Sequence, residues 1–265
     1  MHPMINIATR AANKAGDLIV RYSNRVHDLE VHSKGRNDFV TEIDRQAERE
    51  IIDTIRQTHP DHAFLGEEGG RVGDSEEFVW IIDPLDGTTN FLHGFPVFAV
   101  SLALKVRGRI EHAVVYDPLR QETFSASRGA GAVLNGRRIR VGRRKGLDGA
   151  LIGTGFPYRE GDDVDRYLGM FREVMTRASG IRRPGAAALD LAYVAAARLD
   201  GFWELNLQAW DIAGGALLVR EAGGMVSDID GSESYLDSGN VVAGSPKVFK
   251  ELLAVVARAD KAHIT

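Results

Sequence analysis

The chain has 265 residues, 44% of them hydrophobic and 26% charged, with a formal net charge of −4. That length supports one large domain or two fused halves, and the weak negative balance excludes a global field for nucleic acid or an anionic membrane. The lack of cysteine removes disulfides, thiolate metal sites and cysteine nucleophiles, and it agrees with a reducing, cytoplasmic setting.

Between Met1 and Arg25 no stretch runs long enough without charge to read as a signal peptide or membrane span. Ile7, Ala8, Ala11, Ala12, Ala15, Leu18, Ile19 and Tyr22 instead fall at helical spacing and predict an amphipathic helix over 4–25. A polar link from Ser33 to Asp38 leads to a second helix with Ile43, Ala47, Ile51, Ile52 and Ile55 on one face and Pro60 past its end. Asp44 sits on its first turns, where the helix dipole favours a carboxylate. Ala63 to Gly66 reads as a short strand running into Glu67-Glu68 and a glycine turn. Phe78 to Ile82 is another strand, rich in β-branched and aromatic residues, and it halts at Asp83-Pro84-Leu85-Asp86-Gly87. Paired acids after a strand are ordinarily a solvated loop; the repetition of the pattern favours a shared role.

Strands over 97–106, 111–116 and 122–127 then form an antiparallel meander with turns at Arg107-Gly108 and Asp117-Pro118. Gly129-Ala130-Gly131 precedes no helix, and Asn135-Gly136 reads as a hairpin turn, so a dinucleotide fingerprint is rejected. Six of the nine residues from Arg137 to Lys145 are basic; a solvated turn is the default for such a run, a contact for RNA or an acidic partner the minority reading. A composition shift over 146–149 suggests a boundary between subdomains 1–145 and 146–265. Beyond it strands over 150–154, 179–182, 201–205, 225–228 and 241–243 alternate with helices over 164–176, 186–197, 211–222 and 246–258. The whole predicts an α/β (α+β) chain.

Three acidic elements carry the chemistry. Asp211 at the head of a helix suits an N-cap, and a carboxylate beside helix N–H groups also suits a metal next to a phosphate. Asp228 and Asp230 lack the remaining positions of a calcium loop and read as a β-turn. Glu67, Asp83, Asp86 and Asp211 together bring four negative charges, which two or more divalent cations would offset. All-oxygen ligands favour Mg²⁺ or Mn²⁺ over zinc. Two such ions activate water and stabilise a leaving oxygen in phosphoryl transfer, and Gly87-Thr88-Thr89, if it opens a helix, offers amides to an anion. The combination implies a phosphate ester. Neither a GxxxxGK[ST] loop nor a cysteine nucleophile is present, and attack by water needs fewer assumptions than an aspartyl-phosphate route through Asp83. His93 and His112 stand at no ligand spacing and read as packing or surface residues, and Trp203 and Trp210 read as core anchors.

GEE at 66–68, WIIDPLDGTTNF at 80–91 and WDIAGGALLVREAGG at 210–224 resemble the inositol monophosphatase family, as do NDFVTEID at 37–44, GIRRPGAAALDLAYVAAARLDGFWE at 180–204 and the overall length. The resemblance covers nearly the whole chain. It implies a layered αβαβα sandwich, a homodimer, and lithium-sensitive, Mg²⁺-dependent hydrolysis of myo-inositol monophosphate with two or three metal ions per site. Residue by residue it implies that Glu67, Asp83 and the Leu85 carbonyl hold one metal, that Asp83, Asp86 and Asp211 hold a second, and that Glu67 supports a third. Thr88 and Asp44 would then orient the attacking water, against the local reading of Asp44. The amides of Gly87 and Thr88 would hold phosphate, and Glu204, Gly185 and Ala187 would face the polyol. Lys34 falls near a mobile basic loop of the family, and Ala186 stands where relatives often carry threonine. Rival substrates on the same fold are a bisphosphonucleotide, fructose bisphosphate and histidinol phosphate. Bacterial members of this kind are also associated with ribosomal RNA transcription antitermination alongside Nus factors and RNA polymerase, for which Arg137 to Lys145 is the candidate contact.

Overall fold

Alternating apolar faces stack the chain into five layers. The structure, a computed structural model, describes residues 2–23, 25, 31–35, 38–157 and 161–264. Helices α1 (Pro3–Ser23) and α2 (Glu42–Arg56) form the outermost layer. The apolar stripe of each packs on the other and on one face of an eight-stranded sheet, burying Ile19, Ile43, Ile51 and Ile55 against Phe64, Trp80 and Ile82. Before α2, β1 (Val31–Gly35) and β2 (Asp38–Thr41) pair as a separate antiparallel hairpin, where the sequence suggested only a polar link.

The large sheet comprises β3 (Ala63–Gly66), β4 (Gly70–Val72), β5 (Phe78–Asp86), β6 (Ala99–Val106), β7 (Arg109–Asp117), β8 (Glu122–Ser127), β9 (Gly131–Leu134) and β10 (Arg137–Arg138). Its order is β10-β9-β8-β7-β6-β5-β3-β4. Every pair is antiparallel except β3 with β5. After β5 comes the short helix α3 (Thr88–Leu92).

A second sheet of five strands has the order β12-β11-β13-β15-β14, from β11 (Leu151–Thr154), β12 (Gly180–Arg182), β13 (Gly201–Glu204), β14 (Met225–Ser227) and β15 (Val241–Gly244). Helices α5 (Ala187–Ala195) and α6 (Ala209–Glu221) lie between the two sheets. Their composition explains the position: from Ile212 to Val219 every residue of α6 is buried, so the helix has no solvent face and requires a covering layer on both sides. On the far side of the second sheet pack α4 (Val164–Met175) and α8 (Pro246–Ile264), around Trp203, Tyr167 and Leu252. A one-turn helix, α7 (Tyr235–Ser238), precedes β15. The expected αβαβα order is thus the observed one.

Two of the element ends that differ from the sequence reading bear on function. Strand β5 does not stop at Ile82 but runs on through Asp86, with its register against β6 shifting between Asp83 and Asp86; a bulge of this kind re-aims side chains at a sheet's end. Helix α6 begins at Ala209 with Gln208 as its N-cap, so Asp211 is the third helical residue and not the cap. Among the described residues no helix is long and apolar enough to cross a membrane.

Candidate active site

The parallel pairing of β3 with β5 explains why the strand-then-acid pattern occurs twice. Gly66 stands opposite Ile82 in register, so both strands run out at the same edge and Glu67 emerges beside Asp83. The Glu67 N–H donates to the Ile82 carbonyl at 3.1 Å. Asp83 is 1% exposed and its Oδ1 accepts the Leu85 N–H at 3.0 Å. Asp86, past the bulge, turns toward the first turn of α5, where the Ala188 N–H donates to its Oδ2 at 2.8 Å. From the opposite side, Asp211 caps its own helix by accepting the Gln208 N–H at 2.7 Å.

One carboxylate oxygen from each of Asp83, Asp86 and Asp211 lies within 4.8 Å of the other two. Burial pushes the Asp83 carboxyl well above the usual range, and Glu67, Asp86 and Asp211 push it further. Asp86 is pushed up to about 8, first by burial and then by Asp211, against the opposing pull of the Ala188 N–H. Removing like charges from water this close together is costly unless a counter-charge arrives. The donor set contains only oxygen, which suits a hard divalent cation of the Mg²⁺ or Mn²⁺ kind. These residues fit such an ion.

Thr88 and Asp44 meet at the rim of this cluster. The Thr88 hydroxyl stands 3.0 Å from Asp44 Oδ1 and 3.1 Å from the Leu85 carbonyl oxygen, either of which accepts its proton. The other Asp44 oxygen, Oδ2, accepts the N–H and hydroxyl of Thr41, completing a capping box at the start of α2. The local helix-terminal reading of Asp44 and its proximity to Thr88 therefore both hold, one on each oxygen. Burial raises its carboxyl above the ordinary value against these hydrogen bonds. Gly87 links β5 to α3 at φ 95°, and a side chain there would stand 2.9 Å from the Val97 carbonyl oxygen, so only glycine fits.

Asn90 ties this corner to the second sheet's side of the molecule, donating to the carbonyls of Val97 and Pro184, both at 2.8 Å. Gly185 and Ala187 follow directly, and Glu204, 8% exposed at the end of β13, packs against Gly155. The structure so brings together Asp44, Glu67, Asp83, Leu85, Asp86, Gly87, Thr88 and Asp211, and sets Gly185 and Ala187 beside them across Asn90 and Asp86. The side chain of Lys34 lies outside the described residues.

Two buried acids escaped the sequence reading. Asp190 on α5 is 1% exposed, its Oδ1 has no hydrogen-bond partner, and burial together with Glu204 and Asp86 drives its carboxyl well up. Glu48 on α2 accepts two backbone N–H groups from residues 68 and 69. Its position one turn after Asp44 was the only available signal. The histidines conform to expectation: His93 Nδ1 lies 2.8 Å from the Thr89 carbonyl, and His112 stacks on His2. Trp203 is fully buried. Asp228 binds the hydroxyls of Ser234 and Ser238 within a turn.

The sequence profile described as the inositol monophosphatase family matches residues 1–261. A protein named Nus factor SuhB from Pseudomonas aeruginosa is 57% identical over 261 residues, covering 97% of this chain and 96% of its own. Its namesake from Escherichia coli K12 is 51% identical over 255 residues, with 96% of each covered. Among solved structures, the extragenic suppressor protein suhB of Bartonella henselae superposes with a TM-score of 0.94 at 46% identity, covering 96% of this chain and 98% of that one. An IMPase from Thermotoga maritima gives 0.89 at 37% identity, covering 98% and 99%.

Proposed function

The chain belongs to the inositol monophosphatase family and is a phosphatase, and from that premise we propose that it hydrolyses myo-inositol monophosphate to inositol and phosphate with Mg²⁺. The observation that carries this reading is the convergence of Asp83, Asp86 and Asp211 within 4.8 Å, with Glu67 close enough to raise both Asp83 and Asp86. These four carboxylates, with the Leu85 carbonyl, would hold the metal ions. Bound Mg²⁺ supplies charge neutralisation at the phosphate and lowers the pKa of water.

The chain's own groups do the rest. With its proton directed to Asp44, the Thr88 oxygen is left to accept a hydrogen bond from the attacking water and so aim it. Asp44, raised by burial, takes up a proton through Thr88. The amides of Gly87 and Thr88 bind phosphate oxygens, while Glu204, Gly185 and Ala187 receive the polyol hydroxyls. As the water oxygen bonds to phosphorus the ester P–O bond breaks, and the water's two protons end on the alcohol and the phosphate.

Comparing kcat/KM for myo-inositol 1-phosphate, fructose 1,6-bisphosphate, a 3′,5′-bisphosphonucleotide and histidinol phosphate, with and without Mg²⁺, tests the assignment. Mg²⁺-dependent preference for the inositol ester is expected; preference for another ester transfers the site to that substrate.

A second reading, contact with the transcription machinery, draws on the Nus-factor names of the relatives and on one surface feature. Arg137, Arg138, Arg140, Arg143, Arg144 and Lys145 are all exposed, and of these Arg144 pairs with Asp200 at 3.0 Å. Reversing the charges of Arg137, Arg140, Arg143 and Lys145 is expected to abolish binding to RNA or Nus proteins and to spare hydrolysis; unchanged binding removes the patch from consideration. A homodimer is part of the same proposal. Val164, Leu168 and Met175 are exposed along one face of α4, which supports it, and light scattering of the purified protein tests it.

A further inference from the structure

Glu48 lies one helical turn beyond Asp44 on α2 and is 4% exposed. Its Oε2 accepts the N–H of Glu68 at 3.0 Å, and its Oε1 accepts that of Gly69 at 2.7 Å. The N–H of Glu67, immediately before, is bound to the Ile82 carbonyl. Three consecutive amides are thereby fixed, the first by β5 and the next two by one buried carboxylate. Room for that carboxylate exists because its neighbours are glycine: a Cβ on Gly66 would collide with it, and one on Gly69 would stand 2.7 Å from Oε1.

We propose that Glu48 is a positioning residue of the metal site: by gripping the amides after Glu67 it sets how far the Glu67 carboxylate reaches toward Asp83 and Asp86, and with it the affinity for the divalent cation. The inference rests on the metal-dependent phosphatase reading and extends it to a group that touches neither metal nor substrate. It also gives α2 a double task, since Asp44 and Glu48 on consecutive turns hold Thr88 and the Glu67 loop respectively. One rigid helix thus fixes two separate loops relative to each other. Groups that orient metal ligands without binding the ion typically change metal affinity by ~10–100-fold when altered.

The molecule supplies its own control. Glu221, ending α6, accepts the N–H groups of Gly129 and Gly131 at 2.8 and 2.7 Å in the same manner, under a β-turn that holds none of the site residues. Glu48→Gln keeps the side chain's size and one acceptor oxygen but loses the other; Glu221→Gln does the same at the control site. Mn²⁺ binding by calorimetry, the Mg²⁺ dependence of phosphate release and the melting temperature are to be measured for all three proteins. For E48Q the half-saturating metal concentration should rise about tenfold or more in both titrations, with much of the rate restored at saturating Mg²⁺. E221Q, whose side chain is only half-buried, should lose no more melting temperature than E48Q while titrating like the wild type. Gly69→Ala, which presses a methyl group against Glu48, should repeat the E48Q shift should E48Q itself not fold.

Wild-type metal titrations in E48Q and G69A overturn the proposal, as does an equal weakening in E221Q. If the wild type binds Mn²⁺ but releases phosphate from no ester, the calorimetric titration still decides the role of Glu48 and only the phosphatase reading falls. A wild type that binds no divalent cation removes both.

Discussion

Carboxylates that accept backbone amides occur in two settings in this protein, and the contrast separates structure from chemistry. Under the loops, Glu48 and Glu221 each accept two backbone N–H groups and Glu251 accepts one, and of the three Glu48 alone is buried. A carboxylate so bonded braces the chain. At the edge shared by β3 and β5, Asp83, Asp86 and Asp211 face one another, and the amides that reach them are too few to offset burial and mutual repulsion. Hydrogen bonds from backbone amides are common to both settings. What marks the second is like charge gathered around one point, an arrangement that a divalent cation would offset.

The contrast is broken most forcefully at Asp83. Asp83→Asn should lower Mg²⁺-dependent phosphate release by about a thousandfold or more, several kcal/mol of barrier, and should raise the melting temperature of the metal-free protein by removing a buried acid whose ionisation its neighbours oppose. A variant that loses activity and stability together would place Asp83 among the structural acids instead. Asp44→Ala is expected to reduce kcat by about a hundredfold and also to cost about 1 kcal/mol through the lost capping box, because it belongs to both settings. Paired measurement of kcat and thermal unfolding separates the two parts.

The pH dependence of stability sharpens the comparison next. Asp86 has a folded-state value of about 8, raised from 3.8, so the folded state holds its proton over a range where the unfolded chain has released it. Asp86 therefore costs the metal-free fold nothing below about pH 4, and its contribution to stability is lost progressively as pH rises from there to about 8. Saturating Mg²⁺ should flatten this slope, which denaturant titrations at several pH values will show. A metal-free slope that Asp86→Asn leaves unchanged would overturn this assignment. The smallest effect belongs to Glu251→Gln: about 1 kcal/mol of stability at most, with kcat and metal dependence within twofold of the wild type.

Much of this was legible in the sequence because it was local. The strand-then-acid segments, the glycine after Asp86 and the two outer amphipathic helices follow from short-range periodicity, and the positions of Glu67, Asp83 and Asp86 could be read directly. Pairing could not. Nothing in Ala63 to Gly66 says that it lies parallel to β5, and this alignment alone sets Glu67 beside Asp83. The β1–β2 hairpin lacks the apolar alternation that announces a strand, so it was read as a link. Asp211 satisfied the propensity of an N-cap, yet the capping position is taken by Gln208, whose N–H the Asp211 carboxylate binds from inside the helix. Glu48 looked like any acid on an exposed turn until the fold brought residues 66–69 against it.

Helix α6, which crosses between the sheets and delivers Asp211, comes late in the chain, more than a hundred residues after Asp83 and Asp86. During synthesis the amino-terminal strands emerge first and can pair while α6 is still in the ribosome. Until its apolar surface arrives, the inner face of the large sheet is uncovered and the ion-binding cluster is missing a member. A growing chain consequently carries only part of the cation site, and the complete site comes into being only in the step that closes the centre of the molecule.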